Sequence, residues 1–404
     1  MIVFKHAHVV SPDSPARDQT VVADGGKITS VGPAAALDIP PGARVFDLSG
    51  KRLLPGYIDV HIHGALGYQA MGSSLEDLIR VLPQFGVTSF LATTVTLPDP
   101  EIERRLGEMA EVLADPPGGA ECLGIHLEGP HLSPARPGMA NPDWFEPLTR
   151  EGFDRLQEIS GSNIRMITFA PEEGGAAQLI PYLRDRGVVP VIGHSNAAYE
   201  MVLDAVELGL DQAAHTFNAM PPFHHRRPGV IGAVLASDKI TAQLIADGIH
   251  VHPGAMRALL NAKGPERVCL ISDAAPFAQC SEGEYSWDSY QVVIKEGAIR
   301  SPEGNLAGAY QMMDQGLSNL VQLVGLSLED ASLTASLVPA RSLGVDQRKG
   351  KVEPGRDADL VVLDDDYRVV MTVGRGEVLW EKEQASHHPG ASTGDGLGNG
   401  TVQS

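Results

Sequence analysis

Six side chains with metal-binding or proton-transfer chemistry each stand at the end of a short apolar run: His61, His63, Glu128, His194, His215 and Asp273. In His61-Ile62-His63 the two imidazoles lie two residues apart, so on a strand they project to the same side and can reach one ion. Neutral imidazole and carboxylate together suit a divalent cation. Glu128 closes its run in HisLeuGluGlyPro, where Gly129 permits a tight turn and the carboxylate could bridge two ions. His126, two residues earlier, reads as a partner that orients a ligand. Asp273 could take a proton from an activated water and pass it to a leaving group, or could itself be a ligand. Such a centre lowers the pKa of water from 15.7 to about 7, which is the chemistry of hydrolysis.

For these residues to meet, the chain must carry them on one face. Eight short apolar, β-branched runs are expected as strands: Tyr57–His61, Ser89–Thr94, Cys122–Leu127, Arg165–Phe169, Val188–Ile192, Gln212–His215, Ile240–Ile245 and Val268–Ser272. Helical stretches separate most of them. Asp99-Pro100-Glu101 is a start signal with Asp99 as N-cap, followed by an apolar face of Ile102, Leu106, Met109 and Leu113. The alternation predicts an α/β fold, a (β/α)8 TIM barrel, whose strand C-termini share one mouth. Tyr285–Ile299 reads as an extra hairpin, and Tyr310–Val324 as a further helix.

Strand-like hairpins also occupy both ends of the chain, with turns at Asp24-Gly25-Gly26 and Gly374–Gly376. They predict a small β-sandwich domain built from residues 1–52 and 345–384, with the barrel inserted at 53–344. Residues 385–404, rich in Gly and Ser, read as a disordered tail, and His387 and His388 within it as non-ligands.

Composition narrows the partners. A net charge of -20 with no Lys/Arg run argues against nucleic acid. No apolar stretch is long enough for a bilayer, and no signal peptide is evident, so no membrane partner is expected. Cys122, Cys269 and Cys280 show no CxxC spacing and cannot all pair; Cys122 and Cys269 read as core residues, in keeping with a reducing cytoplasm. No lysine lies between Lys51 and Lys239, so strands one to six cannot supply a carboxylated lysine bridge, and Glu128 is the natural substitute.

The ordered motifs PGYIDVHIHG, HLEGP, GHSNA, HTFNAMPP, IADGIHV and ISDAAP, continued by LAGAYQMM and PARSLGV…KGKVEPGRDADLVVLD, span Pro55 to Asp364. As a set they resemble the N-acetylglucosamine-6-phosphate deacetylase family within the amidohydrolase superfamily. The resemblance implies hydrolysis of an N-acetyl amide on a phosphorylated amino sugar, in amino-sugar catabolism. It implies a divalent metal, one or two ions per subunit, with zinc or iron first and manganese or cobalt as alternatives. Glu128, His194 and His215 would be the core ligands, and His61 and His63 would serve a second metal site. Asp273 would be base and then acid. Asn218, the backbone of Ala219, and Arg226 would hold the sugar phosphate, with His250 contacting substrate and a homodimer sharing the pocket. Guanidinium pairs bidentately with phosphate, which makes Arg226 a sensible clamp.

One departure opens an alternative. Where the family carries a GxHNP-like stretch, this chain reads Gly138-Met139-Ala140-Asn141-Pro142, so a histidine that helps polarise the carbonyl is replaced by Ala140. Loss of such a donor can cost about 2.7–4 kcal/mol. His131, His224 and His225 are candidate replacements; otherwise the metals polarise the carbonyl alone, or the substrate is a different N-acyl amino sugar or an N-acyl amino acid.

Overall fold

The computed structural model describes residues 1–11, 15–33, 39, 41–287 and 290–382. The expected tail and its two histidines lie outside them. The chain opens with β1 (Ile2–Val9), β2 (Ala16–Asp24), β3 (Lys27–Pro33), β4 (Arg44–Asp47) and β5 (Arg52–Pro55). Eight strands then alternate with helical segments: β6 (Tyr57–Ile62), β7 (Val87–Thr93), β8 (Glu121–Glu128), β9 (Ile164–Phe169), β10 (Val189–Ile192), β11 (Gln212–Ala213), β12 (Thr241–Ile245) and β13 (Val268–Ile271). A three-stranded antiparallel unit follows, β14 (Gly283–Trp287), β15 (Tyr290–Lys295) and β16 (Ala298–Arg300), and then β17 (Leu360–Leu363), β18 (Val369–Gly374) and β19 (Glu377–Glu381).

Strands β6 to β13 form one sheet in sequence order with all ladders parallel, as right-handed βα crossovers require. The sheet closes into a barrel. The Asp273 amide donates to the His61 carbonyl at 2.8 Å and the His63 amide to the Ala274 carbonyl at 2.9 Å, joining the last strand to the first. The strands are buried almost throughout because helices cover them, which is why they read as apolar runs rather than alternating ones.

The helix expected after Asp99 spans Asp99–Ala114 and buries Ile102, Leu106, Met109 and Val112, with Leu113 partly buried beside them. Its N-cap is Pro98, and Asp99 makes no capping bond. The Asp99 carboxylate instead accepts from Arg155 at 3.1 Å. The expected 310–324 helix is shorter, Met313–Asn319, and runs into one π-helical turn, Leu320–Val324.

The terminal strands form one mixed sheet in the order β19-β18-β17-β5-β1-β2-β3, with β4 paired to β1. Leu54 pairs with Val361 across the β5–β17 ladder, so both ends of the chain meet in one element. The sheet folds over its own core of Phe4, Val21, Ile28, Leu53, Leu360 and Val362. Its β2–β3 hairpin returns to the C-terminal half, where the Ile28 amide donates to Arg356 O at 2.9 Å and the Gly355 amide to Ile28 O at 2.8 Å.

A buried ion-pair network fastens this unit to the barrel. Lys349 Nζ lies 2.7 Å from Glu121, at the start of β8, and 3.3 Å from Asp357, and it also contacts Asp359. Arg348 bridges Glu121 and Asp357 at 2.5 Å each. Burial opposes ionisation of Glu121, yet Arg348 and Lys349 hold its carboxyl down at about 2. The three acids could form a cation site by proximity alone, but the two basic side chains already supply the countercharge.

Candidate metal centre

The barrel mouth gathers all six residues singled out above. Glu128 is the last residue of β8 and His61 lies one from the end of β6. His63, His194, His215 and Asp273 stand one or two residues beyond their strands. His194, His215 and Asp273 leave in the left-handed region (φ 47, 25 and 51°), a conformation that costs a non-glycine residue energy. These backbone twists turn the side chains inward, and the barrel closure at Asp273 holds one of them in place.

Glu128 occupies the middle, and its two oxygens face different imidazole pairs. Oε2 lies 3.2 Å from His61 Nε2 and 3.3 Å from His63 Nε2. Oε1 lies 3.1 Å from His215 Nε2 and 3.6 Å from His194 Nε2. Asp273 Oδ1 adds a second acid to the first pair, 3.1 Å from His63 and 3.6 Å from His61. Nε2 of His194 and His215 are 3.1 Å apart.

The surrounding polar groups fix tautomers that suit a cation. His194 Nδ1–H donates to the Arg136 carbonyl at 3.0 Å, and His61 Nδ1–H to Gln243 Oε1 at 3.2 Å. Each neutral ring therefore turns an Nε2 lone pair toward the Glu128 carboxylate. Lone pairs facing an anion repel unless a cation or a proton stands between them, and outer partners of this kind are what orient metal-binding histidines. Nδ1 of His63 and of His215 is buried without a partner among the described residues. The donor set fits a divalent cation.

Electrostatics point the same way. Burial alone would lower His63, but Asp273 and Glu128 push it up to about 10; His61 is raised on the same balance. Burial opposes ionisation of both acids, yet the imidazoles hold Glu128 well below its ordinary range and Asp273 down at about 2. The pocket thus carries two ionised acids with a strong demand for positive charge.

Other residues position this set. His126 is no part of it: Nδ1–H donates to the Val60 carbonyl at 2.9 Å, Nε2 accepts from Thr168 at 2.7 Å, and the ring packs edge-on against His61. Burial holds His126 down at about 3, hence neutral. Gly138 lets the loop after β8 approach, since a Cβ there would lie 2.8 Å from His194 Cε1. Asp59 and Gln243 were not singled out from sequence. A charged or amide residue inside an apolar strand was the available signal.

The centre opens into a cavity of about 280 Å³. Asn218 and Ala219 line it, as does His250, whose Nδ1 is 2.6 Å from the buried Asp247 carboxylate. Arg226 is not among the lining residues. It is exposed on its loop, 2.8 Å from His225 Nε2. Ala140 lines the cavity, while His131, His224 and His225 do not. His131 is buried elsewhere and donates from Nδ1 to the Glu146 carbonyl at 3.0 Å.

A closed parallel barrel with imidazoles and carboxylates converging at its mouth defines a metal-dependent hydrolase architecture. The amidohydrolase family model matches residues 52–379, and this chain belongs to that family. It is 35% identical over 390 residues to the N-acetylglucosamine-6-phosphate deacetylase of Bacillus subtilis, covering 95% of this chain and 98% of that protein. It is 37% identical to an N-acetylgalactosamine-6-phosphate deacetylase of Escherichia coli O157:H7, over 84% and 90% of the two chains. The crystal structure of N-acetylglucosamine-6-phosphate deacetylase from Pasteurella multocida superposes with a TM-score of 0.87 at 31% identity, covering 93% of this chain and 99% of that one.

Proposed function

We propose that this chain hydrolyses the acetamide of N-acetylglucosamine 6-phosphate, releasing acetate and glucosamine 6-phosphate. The observation that carries the reading is Glu128, with one oxygen facing His61 and His63 and the other facing His194 and His215. We assign these five residues as ligands for one or two divalent ions, zinc or iron(II) first, with manganese and cobalt also suited to the donors. When bound, such an ion polarises the amide carbonyl and makes water acidic enough to attack at neutral pH.

The residues of the chain do the rest. Asp273, ionised at neutral pH and set at the cavity edge, accepts a proton as water adds to the carbonyl carbon. It then delivers that proton to the amide nitrogen as the C–N bond breaks. Asn218, the Ala219 backbone and His250 bind the sugar end, and the Asp247 carboxylate orients His250. Arg226 is exposed and does not line the cavity of its own chain, so we assign it to the phosphate in the cavity of a second copy within a homodimer. Residues 53–344 form the catalytic unit on this reading, supported by the terminal unit of 1–52 and 345–384.

Three free cysteines support action in the reducing cytoplasm. Among the described residues no helix is long and apolar enough to cross a membrane. The Escherichia coli relative favours a second reading, the galactosamine epimer of the same sugar phosphate. Acetate release from both epimers by protein of measured metal content tests the assignment. Release from neither would overturn it, and preference for the galactosamine compound would select the second reading.

A further inference from the structure

The terminal β unit carries a second recess, of about 430 Å³, which shares no lining residue with the metal centre. The register of three strands builds it. Ile2 and Phe4 of β1 face the core of that unit, and so do Ala7 and Val9. The parity changes at His6, whose left-handed φ of 56° marks a bulge, so His6 and His8 stand away from that core. His8 pairs with Arg52 across the β1–β5 ladder. On its other side Ala7 pairs with Gln19 and Val9 with Ala16, which sets Arg17 and Asp18 together against His8. Arg52, His8 and Arg17 thus form a row across three adjacent strands, and the Lys51 carbonyl accepts from the His8 amide at 3.1 Å.

Charge along this row is unbalanced. Asp18 accepts from His6 Nδ1–H at 2.8 Å, and Asp365 from Arg52 at 2.9 Å. Arg17 and Lys51 line the same recess with no acidic partner among the described residues. Burial first, and then Arg17 and Arg52, hold the His8 imidazole below its ordinary range against the pull of Glu329. In a chain of net charge -20, two cations left without acids in one recess call for an anion from outside.

We propose that this recess is a binding site for a phosphate monoester, with Arg17 and Lys51 taking the phosphate. Such a group carries roughly two negative charges at neutral pH in one compact unit, which matches the two cations. Guanidinium pairs bidentately with its oxygens, and ammonium adds a point charge. The recess is larger than a bare phosphate needs and leaves room for a sugar-sized ester group.

Calorimetric titration of the full chain with inorganic phosphate and with glucose 6-phosphate tests the site. The expected result is one equivalent of anion that Arg17→Ala/Lys51→Ala binds about tenfold more weakly or worse, any equivalent held at the metal centre staying as it was. Arg17→Gln alone gives the same readout should the double variant fold poorly. Tighter binding of glucose 6-phosphate than of phosphate selects an organic ester as the ligand, and equal binding selects free phosphate. Equal uptake by parent and variants, or no binding of either probe at about 10 mM, would overturn the proposal.

Discussion

The Ser272 hydroxyl donates to Asp59 Oδ2 at 2.5 Å, tying the end of the last barrel strand to the middle of the first. The Ser272 and His61 amides, each 3.2 Å from Oδ1, complete the carboxylate's partners. Burial pushes the Asp59 carboxyl up to about 6 against these bonds. A costly acid is therefore buried directly beneath His61, at the seam on which the metal centre depends.

Ser272→Ala should destabilise the protein by about 1–3 kcal/mol, because a buried carboxyl loses its shortest partner. Urea unfolding of the metal-free protein measures it. A loss below about 0.5 kcal/mol would mean that the two amides suffice to hold the seam.

Metal removal should abolish turnover and lower the melting temperature, with both restored on adding zinc or iron(II). An ion at a hundred times its dissociation constant contributes about 2.7 kcal/mol to stability. Gln243→Leu removes the acceptor that orients His61 and should weaken metal affinity about 10–100-fold, read by chelator competition. Unchanged affinity would show that packing against His126 orients the ring unaided.

Asp273→Asn should lower kcat by about 10²–10⁴-fold with a far smaller change in KM, since it removes the proton carrier but leaves the sugar end intact. Metal analysis of the variant separates this from loss of a ligand. A variant that keeps both its metal and its turnover would contradict the assigned role.

Stability should also depend on pH through Asp314, in the first turn of the Met313–Asn319 helix, where burial raises its carboxyl to about 6 and Oδ1 lacks a partner among the described residues. A raised acid favours its neutral form in the folded state. Its stabilising contribution is complete below about pH 4 and is lost as pH rises through about 6. Asp314→Asn should therefore gain roughly 1–2 kcal/mol over the parent at pH 7–8, allowing for partial exposure, and nothing at pH 4. Melting temperatures of both proteins across that range decide the point.

The six residues of the centre were readable because each polar group interrupts an apolar run at the same register, the end of a buried strand. The repeat of strand and helix then left few topologies besides a barrel. What stayed hidden follows from physics that spacing does not carry. Val292 carries no chemical signature, and its place in the cavity wall beside Met139 follows only from the packing of the cluster under β14–β16. Arg226 could be proposed as a phosphate clamp from its type, but not the direction in which its loop faces. Asp99 has the composition of a cap, yet the helix starts one residue early and Arg155 takes its carboxylate. The pairing of Leu54 with Val361 is wholly non-local.

That pairing sets an order of events during synthesis. Strand β5 emerges from the ribosome early, but its neighbour β17 follows only after nearly the entire barrel has been translated. Until then β5 offers an open edge, which in a crowded cell invites pairing with another nascent chain. A chain truncated before Leu360 would keep every ligand of the metal centre and yet be released with that edge bare, so its expected fate is aggregation rather than weak activity.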